Sequence, residues 1–354
     1  MVRLGGTFSL KRRVRGGRIA VTALVAAGLV LVPAGASAEK ARPGTGLEAL
    51  AGKRILLSND DSVQAAQEDG ADGRGLYILR KALCEARADV IVVGPWRQQS
   101  GRGRAISTAP QVRLAPPVRI PAEYAGDCAT APSRGLVMGA CASAGPCAPD
   151  SASVTPADSV DLALGAFLPR RPGWSGGPDL VMSGTNSGAN TDIAVNMSGT
   201  VGATTAAAER GVPAVAVSAN GPGGPIAPPT DRTYEVSAGY AAKVAARLLA
   251  RRDAAERLGR EKLMLNINVP HVAEGGRTPS PRWTRMGDTP LGRITYVPDG
   301  AGGYRIGFTA ADPDTRFDPR SDTAALRDGH ISIGAISVDR TADPKWLRSL
   351  HLTR

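Results

Sequence analysis

The chain has 354 residues, enough for one large domain or a core with an appendage. Its net charge is +11 with only 4% aromatic residues, and its arginines are spread without aromatic interleaving, which argues against a nucleic-acid surface. The apolar run from Ile19 to Val32 is shorter than the ~20 residues a membrane span needs.

That run belongs to a leader. A basic n-region precedes it, and the small residues Ala36-Ser37-Ala38 follow before Glu39. This is the layout of a secretory signal peptide over residues 1–38, so export to the periplasm, cell envelope or medium is expected, with cleavage after Ala38. Arg12-Arg13 points to the twin-arginine route. The leader holds six of the 43 basic residues and no acidic one, leaving 37 against 32, or +5. Such a mild excess suits a site that attracts anionic substrates.

After a linker over residues 39–52, apolar strand-like runs alternate with helical patterns, the signature of βαβ units and a mostly parallel α/β sheet. "RILLSN" reads as the first strand, "GLYILRKALCEAR" as a helix and "DVIVVGP" as the second strand. "TPADSVDLALGAFL" opens with a Thr-Pro helix start. "PDLVMSG" and "VPAVAVSAN" read as buried strands around the small-residue helix "VGATTAAAERG". "SAGYAAKVAARLLARRDAAERL" reads as one long amphipathic helix, and "LMLNINVP" as the last core strand of a domain over residues 53–270. Residues 271–354 are Gly/Pro-rich with short alternating strands, and read as a hairpin arm with a closing helix and strand. Cys84 falls in a helical pattern and reads as a buried free thiol. Cys128, Cys141 and Cys147 lie in an insert at about 125–150, where one pair is expected to bond.

In an open parallel sheet, ligands bind beyond the carboxyl ends of the strands. Three core strands end here in unusual polar groups: Asn59-Asp60-Asp61, then Gln98-Gln99-Ser100-Gly101, then Ser183 through Asn190. Each also reads plainly as a cap or turn. Together they make an all-oxygen donor set suited to Mg²⁺ or Mn²⁺, with Ca²⁺ as a substitute in a crystal. A divalent ion would also relieve the repulsion between Asp60 and Asp61 and keep both ionised. Ser198-Gly199-Thr200, just before a helix, reads as an anion cradle of free N–H groups. Beside a hard cation, this makes phosphoryl chemistry the leading reading.

"SNDDS", "PWRQQSG", "VTPADSVDLAL", "PDLVMSGTNSGAN" and "MSGTVGATTAA" stand in an order that resembles the SurE family of survival proteins, metal-dependent nucleotidases and phosphatases. The resemblance runs from about residue 53 to residue 340. It implies a Rossmann-like three-layer core and an arm exchanged between subunits of a homodimer or homotetramer. It implies metal ligands at Asp60, Asp61, Ser100 and Asn186. It places Asn190, Ser198, Gly199 and Thr200 on the phosphate side, with Asn59 orienting the first carboxylate. The implied reaction releases phosphate from nucleoside monophosphates, with Asp60 and Asp61 as the catalytic carboxylates.

Two departures from the family pattern bear on the site. Ser62 replaces the usual Gly after N-D-D, and "VQAAQEDGADGRG" lengthens the following turn, adding Glu68, Asp69 and Asp72. Arg104 stands where the family often has His, removing a proton donor and supplying a cation for phosphate. The three histidines, at 271, 330 and 351, lie in no motif. The competing readings are a broad phosphatase on other phosphoesters or polyphosphate, and a non-catalytic metal-dependent nucleotide-binding module. A dinucleotide oxidoreductase is disfavoured, because "NDDSVQ" replaces G-x-G-x-x-G after the first strand.

Overall fold

A computed structural model describes residues 46–67, 70–224, 227–342 and 350. The expected leader and its cleavage point, Glu68, Asp69 and His351 lie outside the described residues. Among the described residues no helix is long and apolar enough to cross a membrane.

Helix α1 (Arg74–Glu85) joins β1 (Arg54–Ser58) to β2 (Asp89–Pro95). Strands β3 (Arg113–Ala115), β4 (Val137–Ala142) and β5 (Ala152–Ser153) precede α2 (Pro156–Leu162). Next come β6 (Leu180–Ser187), α3 (Gly199–Glu209), β7 (Ala214–Ala219), α4 (Asp231–Leu249), α5 (Arg252–Arg260) and β8 (Leu263–Val269). The chain continues through β9 (Pro281–Trp283), β10 (Gly292–Pro298), β11 (Tyr304–Ala310), α6 (Asp322–Arg327) and β12 (Ile331–Ser337).

The main sheet runs β3-β4-β2-β1-β6-β7-β8-β12-β9, with β5 paired to β4. Its centre, from β4 to β8, is parallel throughout. Period-two alternation splits the core into two layers. Ile55, Leu57, Val90 and Val92 pack with α1 and α4, while Leu56, Ile91 and Val93 pack with α2 and α3 on the other face. The expected three-layer α/β core is thus present. The hairpin β10–β11 forms a separate two-stranded sheet.

Local chemistry places the helix starts. Thr155 and Asp158 form a reciprocal capping box on α2, and the hydroxyls of Ser198 and Thr230 cap α3 and α4. The one long helix expected over residues 237–258 is instead two. It starts earlier, at Asp231, and breaks where Arg251 leaves helical geometry (φ −115°, ψ 82°).

The pair expected within the insert is Cys141–Cys147, but the reading of Cys84 is corrected. Cys84 is not free: it bonds Cys128. Cys84 lies on α1, only partly buried, and the segment carrying Cys128 packs back over that helix. Arg80, 2% exposed, draws the segment in by donating to the carbonyls of Tyr124, Asp127 and Gly135. The insert is also part of the sheet, since β4 lies parallel to β2.

From β1 the chain passes to β2 on one side, and later to β6 on the other. The crevice between β1 and β6 is therefore the topological switch point, where ligands bind in such sheets.

Candidate metal centre

Both strands at that crevice end in polar side chains. Asn59, Asp60 and Asp61 are 0%, 2% and 6% exposed, and Asn186 is 6% exposed. The chain turns away from β1 through Ser62, whose φ of +96° lies in the region that favours glycine. Its hydroxyl donates to Trp96 O at 2.9 Å and accepts from Gln64 N at 3.1 Å. Asn59 Nδ2 donates to Ser62 O at 2.9 Å and shapes the turn, while its Oδ1 is buried without a hydrogen-bond partner. The long turn is packed: Val63 and Ala71 are fully buried, and Asp72 N donates to Asp61 O at 2.9 Å. Asp72 itself is exposed, and its carboxylate accepts from Arg74 N.

Asp60 is held by the start of α3. Thr200 donates to it twice, from N–H at 3.1 Å to Oδ2 and from Oγ1 at 2.7 Å to Oδ1. Gly199 N–H adds to the hold. A Cβ on Gly199 would stand 2.8 Å from both Asp60 Cβ and Oδ2, so only glycine lets the helix come this close. Ser198 Oγ is committed to Val201 N. The expected phosphate cradle is therefore filled from within: the anion at this helix N-terminus is Asp60's own carboxylate.

Asp61 accepts from Ser187 N at 2.9 Å, which links β1 to the end of β6. Gln98 Nε2 lies 3.5 Å from Asp61 Oδ1 and 2.9 Å from Ser100 Oγ, bringing exposed Ser100 to the rim of the site. Asn186 Nδ2 donates to Gly188 O at 2.7 Å, while its Oδ1 is buried without a hydrogen-bond partner.

Two expected residues turn elsewhere. Arg104 Nη2 binds Asp161 and Glu209, each at 2.8 Å, because its loop lies along α3 and those carboxylates are within reach. Its guanidinium is an ion-pair strut between α2 and α3. Asn190 sits in a buried amide network. Its N–H donates to Asn268, its Nδ2 to Ser218, and its carbonyl accepts from Asn266 and Asn268. It holds the loop after β6 to β7 and β8. Among the described histidines, His271 lies against Thr233 and His330 against Ser280.

Sequence reading named Gln98 among the polar groups after the second strand, and the structure shows it as the link between Ser100 and Asp61. That reading missed Tyr234 of α4, a buried phenol beside Asp61 and Ser187, which no local pattern marks. Burial and the Asp61 charge push that phenol's pKa up, so it stays a hydrogen-bond donor.

Burial raises the pKa of Asp60, and of Asp61 further, with Asp60's charge adding to the second. Among the described residues neither carboxylate has a Lys or Arg within ion-pair distance. Two adjacent buried carboxylates without a protein cation are costly, and a divalent ion removes that cost. The unpartnered Oδ1 of Asn186 completes an oxygen set of the kind hard cations take. The residues present thus fit a divalent metal. Among the described residues no group of three or more His, Cys, Asp or Glu offers an alternative metal site.

A family model described as survival protein SurE matches residues 55–292. The chain is 30% identical over 296 residues to the 5′-nucleotidase SurE of Desulforudis audaxviator, covering 81% of this chain and 93% of that protein. It is 32% identical over 312 residues to the 5′/3′-nucleotidase SurE of Erwinia tasmaniensis, covering 85% and 99%. The crystal structure of the SurE protein from Aquifex aeolicus superposes with a TM-score of 0.56 at 22% identity, covering 84% of this chain and 99% of that one, a likeness of fold.

Proposed function

The chain belongs to the survival protein SurE family, and on that premise we propose that it is a divalent-metal-dependent phosphomonoester hydrolase, a 5′(3′)-nucleotidase. The observation that carries this is the pair of buried carboxylates without a protein cation, set beside the unpartnered Asn186 Oδ1 at the switch point. Asp60, Asp61, Asn186 and Ser100 would hold Mg²⁺ or Mn²⁺. Such an ion neutralises charge on the phosphoryl oxygens and acidifies a water.

The protein's part is preorganisation. Thr200 and Gly199 fix Asp60, while Ser187 N–H and Gln98 fix Asp61. The carboxylates therefore need no rearrangement during turnover. Tyr234 and the packed turn after Asp61 help to bury the two carboxylates.

Assay of phosphate release from nucleoside monophosphates with Mn²⁺ or Mg²⁺ tests the reading. Asp60→Asn and Asp61→Asn are expected to lower kcat by about 100-fold or more, and to abolish the rise in Tm that Mn²⁺ gives the wild type. That rise should grow with pH, because protons compete with metal for carboxylates whose pKa values are raised. Wild-type release by either variant would sink the assignment.

Two further parts of the reading concern assembly and location. A second copy of the chain is the proposed cover for the arm, whose exposed Ile294, Tyr296, Ile306 and Phe308 support it. Export is supported by the two disulfides, which persist in oxidising compartments. Amino-terminal sequencing of the native protein should begin at Glu39, and an intact amino terminus would overturn the export reading.

A further inference from the structure

A groove of about 590 Å³ opens beside the loop that carries Ser100. It runs from Gln98 past Arg102 and Ile106 to Thr108 and Ser153. Gln98, at its inner end, connects it to the candidate metal centre, its amide lying 2.9 Å from Ser100 Oγ and 3.5 Å from Asp61 Oδ1. Its outer wall is the Cys-rich segment. There β5 pairs with β4 at Cys141 and Ser153, the Cys141–Cys147 bond closes the turn, and Arg97 Nη1 donates to Asp150 O.

The loop bearing Arg102 is pinned on both sides. Gln99 N donates to Asp60 O at 2.7 Å, Gly103 N to Met197 O at 2.9 Å, and Ala105 N closes a tight turn onto Arg102 O at 3.0 Å. The loop packs directly on α3, where a Cβ on Gly202 would stand 1.8 Å from Gly103 O. Arg102 is exposed and, among the described residues, has no carboxylate partner. Arg104, two residues on, is fully committed to Asp161 and Glu209. The two arginines of "GRGR" thus have different work.

A volume near 590 Å³ falls within the roughly 300–1,000 Å³ typical of small-molecule sites. With the scissile phosphate at the carboxylates, the departing part of a substrate has this groove beside it. A guanidinium matches a phosphate in bidentate fashion, whereas the uncharged nucleoside of a monophosphate offers it no anion. We propose that the groove is the leaving-group subsite and that Arg102 selects phosphomonoesters whose leaving group carries a second phosphate. Nucleoside bisphosphates and sugar bisphosphates share that chemistry. The inference rests on the phosphatase reading above and names its substrate class.

The test compares kcat/KM, with Mn²⁺, for adenosine 3′,5′-bisphosphate and for AMP, with fructose 1,6-bisphosphate and fructose 6-phosphate as the sugar pair. Each bisphosphate is expected to be the better substrate of its pair. Arg102→Ala should lower the bisphosphate-to-monophosphate ratio about tenfold, and Arg102→Lys should keep part of it. Ser153→Trp, which fills the groove, should raise KM for the bisphosphate. A preference in the adenosine pair alone would assign the groove to nucleosides, and one in both pairs to the second phosphate itself. A wild-type ratio of one or less, or a ratio unmoved by Arg102→Ala, overturns the inference. If p-nitrophenyl phosphate is still hydrolysed in that case, only the subsite falls; if it is not, the phosphatase reading falls with it.

Discussion

Ser62 shows how one side chain can offset its own backbone. Its φ of +96° costs a non-glycine residue roughly 1–3 kcal/mol. Against this stand two buried hydrogen bonds, to Trp96 O and from Gln64 N, each contributing about 1 kcal/mol. Ser62→Ala keeps the strain and loses both bonds, so it should destabilise by about 2 kcal/mol. Ser62→Gly loses the bonds but relieves the strain, and should lie within about 1 kcal/mol of wild type. Urea unfolding of the two variants measures the difference, and equal losses would refute the account.

At the scale of elements, the loop after β6 is fastened to the root of the arm by two buried carboxylates. Asp192 accepts from Ala194 N and Leu291 N, while Asp322, at the start of α6, accepts from Gly287 N, Thr323 N and Asp192 N. Burial raises both pKa values above the ordinary 3.8, and Asp322's charge raises Asp192 further. The folded state therefore holds these protons more tightly than the unfolded chain does. The resulting stabilisation is full below about pH 3.8 and is lost as pH rises through the raised folded values. Asp192→Asn removes one titration and should flatten the fall of Tm as pH rises above about 3.8. It should also lower Tm at pH 4, because an amide replaces one of two accepting oxygens. An unchanged pH slope would show that the pair does not carry the dependence.

For the whole molecule, the hairpin register decides how copies could meet. Ile294 pairs with Phe308, Tyr296 with Ile306 and Pro298 with Tyr304, so these side chains share one face. Arg293, Thr295, Arg305 and Thr309 share the other. A lone two-stranded hairpin is marginal in water, and this one leaves Ile306 74% and Tyr304 69% exposed. The second copy proposed above would bury this face. Tyr296→Asp with Ile306→Asp should therefore shift the protein to the monomer mass in light scattering. A wild-type protein already monomeric at micromolar concentration would rule the assembly out.

The order of the core strands and helices, the helix starts at Thr155 and Ser198, and the placing of Asp60, Asp61 and Asn186 at strand ends were legible in the sequence. These features rest on short-range periodicity and on the rule that parallel strands converge at their carboxyl ends. Only the tertiary structure decided that Cys84 meets Cys128 across 44 residues. It alone decided that Arg104 reaches Glu209, and that the start of α3 closes on Asp60 from 140 residues away. Each of these partners is set by how closely distant segments pack. A donor bonds whichever acceptor the fold brings within 3 Å or so, and nothing in its sequence neighbourhood records which one that will be.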